Sequence, residues 1–240
     1  LCVDSTGVPI APLPLIDTGL TTPNYEFTWY LNTVEIVGAN QGSYSPITGG
    51  SYTVEVRDVS NSTITTCSNT ASTQVTAIAA PILTANVTTQ AFSENQIIEA
   101  MVTGTGDYEF RLDNGPWQNP PIFTNVSSGE HTIAVNDKLG CGTDEVVVSV
   151  IGYPKFFTPN GDTTNETWNI IAISSSTNAK IYIFDRYGKL LKQINPRGSG
   201  WDGTINGVQM PTGDYWFLLE YDEPTTGNRK EFKSHFTLKR

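Results

Sequence analysis

The sequence predicts an all-β protein, and three observations predict it. Thr, Val, Ile, Tyr and Phe dominate the patterned segments, while Gly, Pro, Asn and Ser break them about every 8–12 residues. Side chains alternate strictly in Ser51-Tyr52-Thr53-Val54-Glu55-Val56-Arg57-Asp58, with Tyr52, Val54 and Val56 on one face and Thr53, Glu55 and Arg57 on the other. The pattern also repeats. Gly50-Ser51-Tyr52-Thr53-Val54-Glu55-Val56-Arg57-Asp58 returns 79 residues later as Gly129-Glu130-His131-Thr132-Ile133-Ala134-Val135-Asn136-Asp137.

A second pair of segments keeps nearly the same period. Tyr25-Glu26-Phe27 returns as Tyr108-Glu109-Phe110, and Gly213-Asp214-Tyr215-Trp216-Phe217-Leu218-Leu219 is a looser third copy. A unit of about 80 residues fits a seven-stranded sandwich. The fold expected is therefore three tandem immunoglobulin-like β-sandwich domains, over 1–79, 80–150 and 151–240. The joints fall near Ala79-Ala80-Pro81 and Gly152-Tyr153-Pro154, where proline stiffens the connection.

Charge supports a boundary near 150. Residues 1–150 hold only Arg57, Arg111 and Lys138 against 15 acids, whereas residues 151–240 hold 11 bases and 9 acids. No broad basic surface results, which argues against nucleic-acid binding. No apolar run is long enough for a membrane-spanning helix. Leu1 is neither an initiator methionine nor the head of a signal peptide, so the sequence reads as a piece of something longer.

The cysteines are Cys2, Cys67 and Cys141, too far apart for a CxxC site. Cys2 and Cys67 bracket the first unit, and a disulfide between them is expected, formed in an oxidising compartment. Cys141 is expected to be a part-buried thiol, with nothing nearby to make it a nucleophile.

Catalytic signals are weak. His131 stands in the repeat where Tyr52 stands, so it reads as a strand residue at the edge of a core. His235 lies in Glu231-Phe232-Lys233-Ser234-His235-Phe236-Thr237-Leu238, opposite in phase to Phe232 and Phe236. No nucleophile elbow or phosphate cradle is present, so no enzyme is expected. In Phe157-Thr158-Pro159-Asn160-Gly161-Asp162-Thr163-Thr164-Asn165-Glu166, oxygens recur at Asn160, Asp162, Thr164 and Glu166. Two readings stay open there, an Asx-type turn and a calcium loop. Five tryptophans, Trp29, Trp117, Trp168, Trp201 and Trp216, invite a sugar-stacking reading, but their spread along the chain favours core packing.

The last 90 residues carry a further set of motifs. Tyr153-Pro154-Lys155-Phe156-Phe157-Thr158-Pro159-Asn160-Gly161-Asp162 opens it, followed by Trp168-Asn169-Ile170 and Ile181-Tyr182-Ile183-Phe184-Asp185-Arg186-Tyr187-Gly188-Lys189. Gly200-Trp201-Asp202-Gly203, Met210-Pro211-Thr212-Gly213-Asp214-Tyr215-Trp216 and Phe232-Lys233-Ser234-His235-Phe236-Thr237-Leu238-Lys239-Arg240 complete it. Together they resemble the gliding-motility-associated C-terminal domain, the type B sorting domain of type IX secretion. The sequence departs from that family's usual Asn-Gly-Asp-Gly and Asn-Asp pattern at Asp162-Thr163 and Asn165-Glu166, which weakens the calcium reading. The stretch around Tyr108-Glu109-Phe110 and Asp137-Lys138-Leu139-Gly140-Cys141 is similar to adhesin-type repeats of large surface proteins.

The resemblance implies transport and display at the cell surface of Bacteroidota-type cells. Implied partners are the outer-membrane translocon, a PorV-type shuttle barrel and a PorP-family barrel. Candidate partner-binding residues are the turn Asp185, Arg186, Tyr187, Gly188 and Lys189, the turn Trp201, Asp202 and Gly203, and the final strand with Phe232, Lys233, His235, Phe236, Leu238, Lys239 and Arg240. Asp-Gly and Tyr-Gly turns serve any hairpin equally well. A carbohydrate-binding tail of a secreted polysaccharide-degrading enzyme is the rival expectation.

Overall fold

The computed structural model describes residues 1–60, 67–173, 178–223 and 226–240. Among them the regular structure is all β-strand, as the alternation predicts, and no helix is long and apolar enough to cross a membrane. The chain divides into two compact units. One comprises Leu1–Leu83, Val102–Phe110 and Ala134–Asp144; the other comprises Thr84–Met101, Arg111–Ile133 and Glu145–Arg240.

The first 80 residues contribute β1 (Cys2–Val3), β2 (Ile16–Asp17), β3 (Tyr25–Leu31), β4 (Val34–Glu35), β5 (Ser43–Tyr44), β6 (Gly50–Asp58), β7 (Ser68–Val75) and β8 (Ile78–Ala79). An antiparallel sheet runs β4-β3-β6-β7, and β2 pairs with β5 in a second, two-stranded sheet. Phe27 and Trp29 face Val56 and Val54 across the β3–β6 ladder, so the two-residue period of both strands turns into one shared apolar face. The two most polar members of this core are satisfied. Trp29 Nε1 donates to the Gln41 carbonyl at 2.9 Å, and the Tyr52 hydroxyl donates to the Thr48 carbonyl at 2.9 Å.

The expected Cys2–Cys67 disulfide is corrected: the bond joins Cys2 to Cys141, with Cα atoms 5.1 Å apart. The reason lies in strand pairing. β1 does not join the edge of β7 but pairs in parallel with β8, Cys2 opposite Ile78. Cys67 precedes the eight extended residues of β7, which at about 3.3 Å each put roughly 25 Å of strand between it and the end nearer β8. Cys67 is exposed there. Cys141, expected to be a thiol, is buried and bonded.

β9 (Ile82–Val87), β10 (Gln96–Thr103), β11 (Tyr108–Leu112), β12 (Ile122–Val126), β13 (Gly129–Asp137) and β14 (Thr143–Val150) follow. They form two three-stranded sheets, ordered β12-β10-β9 and β11-β13-β14. His131 is the third residue of β13 as Tyr52 is of β6, and both are buried, which matches the repeat. Its Nδ1 lies 2.8 Å from Asp113 Oδ2 and its Nε2 lies 2.9 Å from the Ser127 carbonyl. The hydrogen bond from His131 holds the Asp113 carboxyl below the usual carboxylate range.

The C-terminal strands are β15 (Phe156–Phe157), β16 (Lys180–Phe184), β17 (Leu190–Ile194), β18 (Thr204–Ile205), β19 (Val208–Gln209), β20 (Gly213–Asp222) and β21 (Arg229–Leu238). One five-stranded sheet runs β15-β21-β20-β16-β17. Its inner face is set by period two: Tyr215, Phe217, Leu219 and Tyr221 on β20, and Phe236 and Leu238 on β21. Trp168 stacks on Phe236 at 3.8 Å between centroids, and Trp168 and Trp201 exchange both backbone hydrogen bonds, at 2.9 and 2.8 Å. Phe92 adds an aromatic from earlier in the chain, stacked on Phe232 at 4.0 Å.

Candidate functional site

The recognition motifs of the C-terminal sheet separate into a buried set and a surface set. Trp201, Phe236 and Leu238, expected among the partner-binding residues, are fully buried in the aromatic core, and Phe232 packs against it under Phe92. These four are corrected to packing residues: Phe232, Phe236 and Leu238 point inward by their phase on β21, and Trp201 is held inward by its bridge to Trp168. Gly203 is buried as well.

The hairpin between β16 and β17 is on the surface. Asp185 builds it: Oδ1 accepts the Tyr187 and Lys189 backbone N–H groups, each at 2.9 Å, and its carbonyl accepts the Gly188 N–H at 3.0 Å. Gly188 takes a φ of 79°, which glycine allows without strain. The turn therefore presents Tyr187, 86% exposed, with the Arg186 guanidinium 5.9 Å from its ring and Lys189 exposed beside it.

The outer face of the sheet continues from this hairpin. His235 pairs with Trp216, Trp216 with Phe184, and Phe184 with Leu190, so four strands contribute one row. Trp216 is 42% exposed and Leu190 is exposed. Lys233, Leu218 and Tyr182 form the neighbouring row. Sequence reasoning missed Phe184, Leu190, Trp216 and Leu218 as surface candidates. The signal was present, since the run Tyr215-Trp216-Phe217-Leu218-Leu219 of β20 is apolar in both phases of its alternation, and only one phase can face the core.

Arg240 and Lys239 have structural partners. The Arg240 guanidinium donates to three carbonyls, of Gly203 at 3.0 Å, Met210 at 3.4 Å and Pro159 at 3.4 Å. Three separate motifs are thereby tied to one side chain. Lys239 Nζ sits 4.2 Å from the Phe156 ring centre. Asp202 Oδ1 accepts the Thr204 N–H at 3.0 Å. Burial raises the Asp202 carboxyl, but the Thr204 hydrogen bonds and the Lys192 charge outweigh that and hold it below its ordinary range.

The Asn160–Glu166 loop is closed by hydrogen bonds of its own. Asn160 Oδ1 accepts the Asp162 N–H at 3.0 Å, Asp162 Oδ1 the Thr164 N–H at 2.8 Å, and Glu166 Oε1 the Thr163 N–H at 3.1 Å. Asn160 Nδ2 donates to Asp162 Oδ2 at 2.9 Å. Hydrogen bonds from Asn160 and Thr164 hold the Asp162 carboxyl below its usual range. Among the described residues no group of three or more His, Cys, Asp or Glu side chains assembles for a metal.

The tryptophans divide. Trp29, Trp168 and Trp201 are buried, whereas Trp117 is 38% exposed with the Arg111 guanidinium 4.6 Å from its ring centre.

Residues 151–238 match the CHU_C type IX secretion signal domain. No curated protein matches the sequence. Among solved structures, the amphioxus IgVJ-C2 molecule is similar over 62% of this chain and 99% of its own, at 12% identity and a TM-score of 0.36. Fibronectin(III)-like modules of Clostridium thermocellum CbhA are similar over 59% of this chain and 81% of theirs, at 16% identity and a TM-score of 0.28. Dimeric latent PorU from Porphyromonas gingivalis is similar over 85% of this chain and 26% of its own, at 14% identity and a TM-score of 0.25.

Proposed function

We propose, from the type IX secretion signal domain that residues 151–238 form, that this chain is the C-terminal region of a secreted cell-surface protein. In this reading its last domain directs export through the type IX translocon and attachment at the surface. Residues 1–150 act as a non-catalytic, adhesin-like stalk of two immunoglobulin-like repeats. The observation that carries the export role is the ordered set of motifs over 151–238.

The contact surface is the Asp185–Lys189 hairpin with the row His235, Trp216, Phe184 and Leu190. An exposed aromatic strip edged by Arg186, Lys189, Lys233 and His235 suits a partner with an apolar rim and acidic flanks, such as the mouth of an outer-membrane barrel. The buried motif residues then act indirectly. Trp168, Trp201 and Phe236 fix the sheet, and Arg240 fastens the loops around it. The acid excess of residues 1–150 keeps neighbouring stalks apart outside the cell.

A pull-down tests this reading. The immobilised chain is presented to a detergent extract of outer membranes from a host with type IX secretion. Enrichment of an outer-membrane barrel, reduced by Tyr187→Ala with Trp216→Ala, supports it; no barrel above the control bead sinks it.

A further inference from the structure

A cleft of about 470 Å³ opens in the first unit, between the inner face of the β3–β6–β7 sheet and the β2 strand. Its walls include Ile16, Leu20, Tyr25, Val54 and Val56. One feature of the lining is diagnostic. Every residue from Cys67 to Thr73 borders the cleft. The face of a strand offers only alternate residues to a cavity, so seven consecutive ones mean that the cleft runs along the edge of β7.

That edge is open. β7 is the last strand of its sheet, and among the described residues no strand pairs with its outer side. Its ladder to β6 runs in register from Ser68 opposite Arg57 to Val75 opposite Gly50. Exposed edges are usually blunted by charge, proline or a bulge. Ser68-Asn69-Thr70-Ala71-Ser72-Thr73-Gln74-Val75 has no charge and no proline. On its inner face, Asn69, Ala71 and Thr73 oppose Val56, Val54 and Tyr52, so small side chains stand where large ones would close the core.

We propose that the β7 edge and its cleft bind an extended, cationic peptide strand, which adds to the sheet beyond β7 and inserts alternate apolar side chains beneath it. Backbone pairing supplies the affinity and the cleft supplies the choice of side chains. Three observations fix the occupant. At roughly 150 Å³ for the space of one large side chain, the cleft holds about three, the number that one face of a six-residue strand presents. Asp17 and Asp58 line it and no Lys, Arg or His does, so the flanks of the incoming strand are basic. A second copy of this unit is disfavoured, because the unit carries ten acids against Arg57 and Lys138. A sugar fits less well, since Trp29 and Tyr52 are buried and only Tyr25 among the lining rings is half-buried.

The probe is a fluorescent nonapeptide, Lys-Thr-Val-Thr-Val-Thr-Val-Thr-Lys, titrated into the full 240-residue chain and read by anisotropy. The expected result is saturable binding that weakens with salt and falls by at least about tenfold when the central residue of the peptide is proline. Ala71→Lys, which places a charge at the mouth of the cleft, weakens binding about tenfold, whereas Val37→Lys, at a 92% exposed position outside the lining, changes it by less than about twofold. Circular dichroism shows whether each variant is folded, and the proline comparison uses the unaltered chain, so it stands if Ala71→Lys unfolds. Absence of saturable binding overturns the proposal, as does equal binding of the proline peptide. A concentration-dependent dimer in sedimentation, abolished by Ala71→Lys, also overturns it by making a second copy the occupant.

Discussion

Arg240 and Gly203 lie 37 residues apart and meet through an Nη2–H···O=C hydrogen bond of 3.0 Å. Gly203 sits at a φ of 75°, and a Cβ built there would lie 3.0 Å from Arg240 Nη2 and 3.2 Å from a Leu238 methyl. The glycine of the Trp-Asp-Gly turn thus serves both the turn and the approach of the guanidinium. Gly203→Ala is expected to cost about 1–3 kcal/mol from left-handed strain and displacement of Arg240. Arg240→Ala loses hydrogen bonds at the surface and costs about 1 kcal/mol. Urea unfolding followed by tryptophan fluorescence checks both, and equal midpoints for Gly203→Ala and the unaltered chain would contradict the first.

The Cys2–Cys141 bond closes a loop of 139 residues. Chain-entropy arguments give such a loop about 3–5 kcal/mol. Cys141→Ser is therefore expected to lower stability by a few kcal/mol. A non-reducing peptide map shows the Cys2 and Cys141 peptides linked; a Cys2–Cys67 linkage would refute the pairing.

Tyr221 carries a pH signature. Burial, with the Glu223 carboxylate 3.3 Å from its hydroxyl, pushes its phenol up to about 12. A raised tyrosine pKa means that the folded state holds the proton more tightly, so this contribution is complete below about pH 10. It is lost as pH rises from about 10 towards 12. Tyr221→Phe should remove that part of the alkaline decline, measured as the difference between the two unfolding curves. Identical slopes across that window would show that the phenol does not ionise late.

Surface and core motif residues should separate. Trp201 is buried and hydrogen-bonded to Thr204, so Trp201→Ala is expected to cost about 3–5 kcal/mol. Tyr187 is 86% exposed, and Tyr187→Ala should change stability by less than about 0.5 kcal/mol while lowering export. Loss of stability without loss of export in Tyr187→Ala would reverse the assignment.

Much of this arrangement was legible from alternation and repetition. The strands β6, β13 and β20 follow from period two, and the matching positions of Tyr52 and His131 follow from the repeat. The disulfide was not legible, because the parallel pairing of β1 with β8 is set by tertiary packing and leaves no local signal. Each partner-binding motif joins surface and core residues in one run, and the phase of β21 separates Phe232, Phe236 and Leu238 from Lys233 and His235. The acceptors of Arg240 lie on the two flanks of the β18–β19 hairpin, at Gly203 and Met210, and at the distant Pro159, which only the folded chain brings to them.

The central claim is that residues 151–240 direct export, and reporter secretion tests it most directly. A periplasm-directed fluorescent protein is fused ahead of the 240-residue chain in a host with type IX secretion, alongside a version ending at residue 150. Fluorescence at the cell surface or in the medium with the full chain, and in the periplasm with the shortened one, is the predicted result. Retention of both in the periplasm would contradict it.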